Sequence, residues 1–152
     1  MVIRDRVALG ALAGVIGAIP SAILNLISKA VGFSKTYSFT LAGGIFLKGK
    51  VTEDPGGILL GTLLWLFTSA LVGFLIVLFF QSTGKDYWWL KGPLLTIIFM
   101  HLFIYGFAFN MAQTKIIPVD VATNISIFFE NLVFGVVVGY LVARWSDLPS
   151  YT

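Results

Sequence analysis

Glu130 and Asn131 interrupt an otherwise apolar run, ISIFFENLVFG, between Ile125 and Gly135. A carboxyl group in such a setting can take up a proton, attract a cation, or hold helices in register. The chain's single histidine, His101, and Tyr105 lie one helical turn apart in another apolar run. Ser21, Trp65 and Thr68 add hydrogen-bonding groups to two more. Catalytic patterns are scarce by comparison. There is no cysteine and no second histidine, so no Ser–His–acid arrangement stands out, and one His with one Glu falls short of the three or four ligands a metal site needs. Haem ligation by His101 would need a second axial ligand or an open site that nothing identifies. These residues point away from an enzyme, with no catalytic residue, metal or cofactor expected.

The elements that carry these groups follow from composition. Of 152 residues, 58% are hydrophobic and 11% charged, against about 25% charged in soluble domains. A soluble chain this short could not hide so much apolar surface. The expected fold is therefore an all-α integral membrane protein, a single transmembrane domain over residues 1–152. The net charge of +3 is small and its basic residues flank apolar runs, which suits lipid headgroups and gives no argument for nucleic acid.

A spanning helix needs about 20 mainly apolar residues. Four stretches qualify, at about 7–27, 58–80, 90–112 and 121–143, giving a four-transmembrane-helix bundle. Asp54-Pro55-Gly56-Gly57 is a helix-start signal before the second, and Tyr87-Trp88-Trp89 and Arg144-Trp145 are boundary residues for the third and fourth. Arg4 and Arg6 before the first run, with Ser28-Lys29-Ala30 after it, have the layout of a signal peptide. The apolar run of about 21 residues exceeds the usual 7–15, so a retained helix is expected. Pro20 inside it predicts a kink, with Ser21 or Asn25 available to the freed carbonyls.

Between the first two runs, residues 36–47 (TYSFTLAGGIFL) carry no charge and are too few to span. A short amphipathic helix in the headgroup layer is favoured over a re-entrant segment turning at Gly43-Gly44. Arg4, Arg6, Lys85, Lys91 and Arg144 would lie on one side of the membrane and Lys29, Lys35, Lys48, Lys50 and Lys115 on the other. Five against five gives the positive-inside rule no purchase. The two arginines before the first helix favour both termini on the cytoplasmic side of the cell membrane, and the balance is what an antiparallel dimer would also have.

Small residues define packing seams. Gly10, Gly14 and Gly17 share one face of the first helix with Ser21, Asn25 and Ser28, and Gly135 and Gly139 form a GxxxG pair on the fourth. Such spacing lets backbones approach closely. Counted from the helix ends, Glu130 lies ten residues in from Asp120, Tyr105 ten from Lys115, Trp65 and Thr68 ten and thirteen from Pro55, and Ser21 eight from Lys29. Ser21, Trp65, Thr68, His101, Tyr105, Glu130 and Asn131 thus converge on one mid-depth polar layer. An unpaired charge at that depth costs about 2.5–3.5 kcal/mol on insertion scales, so Glu130 must meet protein or water or carry a proton. The expected function is a small proton-coupled transporter or channel-like protein, built as a homo-oligomer in the lipid bilayer. Glu130 would be its proton- or cation-responsive group, with His101 and Tyr105 beside it. The alternative is a non-catalytic membrane subunit or scaffold, with a membrane partner, whose polar layer is structural. No motif in the chain carries a family resemblance.

Overall fold

The computed structural model describes residues 2–47, 53–108 and 120–151. Every element in them is helical: α1 (Arg6–Ala30), the short α2 (Ser38–Gly43), α3 (Pro55–Thr83), α4 (Trp88–Thr96) running into a π-helical stretch, π1 (Ile97–Ala108), and α5 (Val121–Trp145). Four helices are long and apolar enough to cross a membrane: α1, α3, α4 with π1, and α5. Their starts have local causes. The Asp5 carboxylate caps α1 through Ala8 N–H at 2.7 Å, and Asp120 caps α5 through Thr123 N–H at 3.0 Å. Pro55 opens α3 at a position where its missing N–H costs nothing. At the other end of α3, Lys91 Nζ donates to the carbonyls of Thr83 and Gly84 at 2.8 and 3.0 Å.

Large apolar side chains face outward, Phe67 at 72% exposure among them, along with Leu59, Leu102 and Phe103. Polar side chains such as Asn25, Ser69, Thr123, Ser126 and Glu130 are buried. That is the inverse of a water-soluble bundle, and it suits a lipid surround. The apolar core is built from Leu9 and Ala13 on α1, Val72, Ile76 and Phe80 on α3, and Phe134 and Val138 on α5.

The glycine seams lie within the chain. A Cβ on Gly14 would stand 2.1 Å from the Ser69 carbonyl oxygen, and one on Gly10 2.3 Å from Phe74 Cα, so α1 and α3 touch backbone to backbone. Gly73 completes that seam from the α3 side, where a Cβ would stand 2.2 Å from Gly10 O. Gly17 faces Val138 of α5, while Gly135 and Gly139 meet Pro93, Gly92 and Trp88 of α4. Both ends of the chain meet at one end of the bundle: Ile3 N–H donates to Trp145 O at 2.8 Å, and Arg6 pairs with Asp147 at 2.9 Å.

Two sequence expectations change. The third long helix is not regular: α-helix ends at Thr96, and π-helix runs to Ala108. Its expected end near residue 112 falls outside the described residues. Residues 36–47 contain the expected short helix: α2 packs against α3, where Gly61 leaves room for the Phe39 carbonyl and Gly43. Thr40, Leu41 and Gly43 are buried, Leu41 in a cluster with Tyr105 and Ile127. Finally, Ser21 and Asn25 do not serve the backbone freed by Pro20, and their side chains cross to α5 instead.

Candidate functional site

Glu130 is 2% exposed and is met by three donors from three parts of the chain. Asn25 Nδ2 on α1 donates to Oε1 at 2.9 Å, Ser126 Oγ, one turn earlier on α5, donates to Oε1 at 2.8 Å, and Ser38 Oγ at the start of α2 donates to Oε2 at 2.5 Å. Asn25 also accepts the Ser38 N–H on its Oδ1 at 3.1 Å, closing a ring of Asn25, Ser38 and Glu130. Ser126 Oγ also lies 2.7 Å from Ser28 Oγ, a second acceptor for its one proton. Ser21 Oγ donates to the Glu130 backbone carbonyl at 3.2 Å. Among the described residues no cation pairs with Glu130.

This geometry suits two protonation states. As a carboxylate, Glu130 accepts three bonds and needs no counter-ion to satisfy its lone pairs. As a neutral acid it keeps Asn25 and Ser126 on Oε1, and its own proton on Oε2 replaces the Ser38 hydroxyl's, reversing a single bond. The 2.5 Å separation falls in the range of O–H···O⁻ pairs. Ser38 is therefore the partner whose role changes with the proton.

Beside the carboxyl lies a cavity of about 70 Å³ lined by Ser21, Trp65, Thr68, Tyr105, Glu130 and Asn131, with Ser38, Leu41, Ala42 and Ile45 from the α2 region and Met100, Ile104 and Ile127 as apolar walls. Six of the seven residues of the expected polar layer thus share one cavity. His101 does not line it. Its Nδ1 lies 3.4 Å from Asn131 Nδ2, a long contact in which the imidazole accepts when its proton is on Nε2, and its ring packs on Tyr105 and Phe128. His101 thus meets Asn131 and not Glu130. Within π1 the His101 ring stays against Tyr105, four residues on, while Met100 and not His101 lines the cavity.

Tyr105 likewise bypasses Glu130. Its hydroxyl donates to Asn124 Oδ1 at 2.8 Å, and Asn124 Nδ2 donates to the Asp120 carbonyl at 2.8 Å, so a polar chain leads from the cavity to the start of α5. Thr68 Oγ1 bonds Leu64 O in its own helix, and Trp65 contributes its ring. At the same end, Lys35 N–H donates to Thr123 Oγ1 at 2.9 Å, tying the segment before α2 to α5. The Asp120 carboxyl is held below its usual value, first by the Thr123 N–H and further by the Lys35 charge 4.0 Å away.

Three partners of the carboxyl were outside the expected site. Ser126 sits four residues before Glu130, a spacing that puts both on one helix face. Asn25 lies one turn from Ser21 on the polar face of α1, so both carried a readable signal. Ser38 carried none, since only the tertiary fold of the loop brings it to Glu130. Among the described residues no group of three or more His, Cys, Asp or Glu stands together as a metal site. No protein-family model, curated protein or solved structure matches the chain. The fold and site define an all-helical protein with four helices of membrane-spanning length around one buried carboxyl.

Proposed function

We propose that this is a small multi-pass protein of the cell membrane, both termini cytoplasmic, that exchanges protons for a small cationic solute at Glu130. The observation that carries this reading is the position of the carboxyl beside a cavity, with no cation paired to it among the described residues. Of the chain's seven acidic residues, Asp5, Glu53, Asp54, Asp86, Asp120 and Asp147 lie at or beyond helix ends, and Glu130 alone lies deep within a helix. Buried ionisable groups of that kind mark ion and proton pathways. In the carboxylate state the cavity offers a negative charge flanked by the rings of Trp65 and Tyr105, which suits a cation by charge and by cation–π attraction. Protonation removes that attraction and releases the cation, while Ser38 reverses its bond and the ring with Asn25 stays closed. The polar chain of Tyr105, Asn124 and Asp120 supports access from the α2 side. Four helices make a thin wall, so a homo-oligomer, an antiparallel dimer included, is the form in which a pathway would be completed.

A second reading rests on the same bonds. Three neutral donors from α1, α2 and α5 would also serve a scaffold, a non-catalytic membrane subunit whose polar ring fixes helix register. Transport and scaffold part on one experiment. Proteoliposomes loaded with a pH-sensitive dye are given an inward gradient of guanidinium or of tetramethylammonium, neither of which crosses as a neutral base. The transporter reading expects outward proton movement with at least one probe, lost in Glu130→Gln at unchanged helicity and melting. No proton movement above empty vesicles with either probe across neutral pH counts against transport and leaves the scaffold.

A further inference from the structure

A second cavity, of about 500 Å³, lies at the end of the bundle that holds both termini, far along α5 from Glu130. Its walls include Lys85, Trp88, Trp89, Tyr140 and Arg144. The five basic residues of this end have different fates. Arg6 is spent on Asp147, and Lys91 on the carbonyls that end α3. Arg4 is exposed and outside the cavity. Lys85 and Arg144 both line it, and among the described residues neither side chain has an ion-pair or hydrogen-bond partner.

The one acid in the lining, Asp86, is turned to other work. It accepts the Ser150 hydroxyl on Oδ1 and the Tyr151 N–H on Oδ2, the latter at 2.6 Å, which fastens the C-terminal tail. The tail is also held by Lys85 N–H on Pro149 O at 3.0 Å, so the Lys85 backbone is anchored while its ammonium stays available. Trp88 meets Tyr140 edge-on at 5.4 Å, and Trp89 is exposed beside them. Trp88 and Trp89 stand at the first turn of α4 and Tyr140 one turn before the last of α5, near the level at which aromatic rings of a spanning helix meet headgroups.

We infer that this cavity binds the phosphodiester of an anionic glycerophospholipid, between the Lys85 ammonium and the Arg144 guanidinium. The guanidinium fork matches two phosphate oxygens, and the ammonium supplies a point charge to the same group. The glycerol occupies the remaining volume, and the acyl chains leave along Trp89 and Tyr140 toward the apolar outer face. A zwitterionic lipid brings its own ammonium into a lining already positive by two basic groups against one acid, so it is disfavoured. The site is independent of any exchange at Glu130.

The test is native mass spectrometry of the full chain released from detergent containing equal amounts of phosphatidylglycerol and phosphatidylcholine. Wild type is expected to retain phosphatidylglycerol preferentially. The double variant Lys85→Gln/Arg144→Gln should lose about thirtyfold of that preference, from two basic groups near the surface. Each single variant loses part of it, and Arg4→Gln, which removes a charge at the same end outside the cavity, loses less than either. Helicity and melting of each variant are followed, and because either single variant that folds as wild type suffices, a misfolded double variant leaves the comparison intact. An equal loss in Arg4→Gln and in the cavity variants means unspecific surface charge and overturns the site. Inorganic phosphate should displace no more lipid than chloride at matched ionic strength; displacement beyond chloride assigns the cavity to free phosphate and overturns the lipid.

Discussion

Replacing Glu130 by glutamine and by leucine separates what the carboxyl does for the fold from what its charge does. Glutamine keeps an oxygen where Oε1 accepts Asn25 and Ser126, and puts an amide NH₂ where Oε2 meets Ser38. Ser38 then accepts instead of donating, so all three bonds survive, and Glu130→Gln should lie within about 0.6 kcal/mol of wild type, the mean worth of one such bond in a membrane protein. Leucine removes all three. At about 0.6 kcal/mol each the loss is about 1.8 kcal/mol, or roughly twentyfold in the folded-to-unfolded ratio. Unfolding in mixed micelles, titrated with a denaturing detergent and followed by circular dichroism, measures both. Ser38→Ala in the Glu130→Leu background should cost about 0.6 kcal/mol less than in wild type, because its bond is already gone. Equal stability of the glutamine and leucine variants would refute the three-donor ring. A leucine variant more stable than wild type would mean that desolvating these groups outweighs their bonds.

Other perturbations probe other parts of the account. Gly14→Ala puts a Cβ 2.1 Å from Ser69 O and must part α1 from α3, at about 1–3 kcal/mol, whereas Gly56→Ala meets nothing within 4 Å and should be neutral or stabilising in a melting experiment. Asp120 has a folded carboxyl value below its unfolded one, so its cap on α5 is intact above the usual 3.8 and is lost as pH falls through the folded value. Melting curves below about pH 4 should therefore show a smaller acid-dependent loss in Asp120→Asn, which cannot titrate, than in wild type. The Ser146 hydroxyl is buried with no partner among the described residues, so Ser146→Ala should be neutral or stabilise by up to about 1 kcal/mol in the same assay.

The four long helices were legible because each is bounded by residues with a local reason to be there: Asp5, Pro55, Trp88 and Asp120 at their starts. The start of α3 is three residues earlier than the apolar run suggests, since Pro55-Gly56-Gly57 is helical without being strongly apolar. Counting residues from helix ends did bring together six residues that line one cavity. Rotation about the helix axis was legible where the helix is regular, as for Glu130 and Asn131 on α5. It failed at His101, which keeps its ring against Tyr105 yet leaves the cavity lining to Met100, in a π-helical stretch that nothing in IIFMHLFIYGFA announces. The place of Ser38 was illegible for a different reason. Its contact with Glu130 spans 92 residues of sequence and depends on Gly43 and Gly61 letting α2 settle against α3, a pairing that no periodicity encodes.

Exchange at Glu130 requires that its carboxyl gain and lose a proton within the folded protein near neutral pH. Infrared difference spectroscopy of the chain in lipid nanodiscs, titrated through that range with Glu130→Gln to assign the bands, measures this directly. The account predicts a protonated-carboxyl band that gives way to carboxylate bands as pH rises, is absent from the glutamine variant, and shifts when Ser38→Ala removes the bond that reverses. A Glu130 band that stays in one form at every pH at which the protein remains folded would contradict proton exchange and leave the carboxyl as a structural tie between α1, α2 and α5.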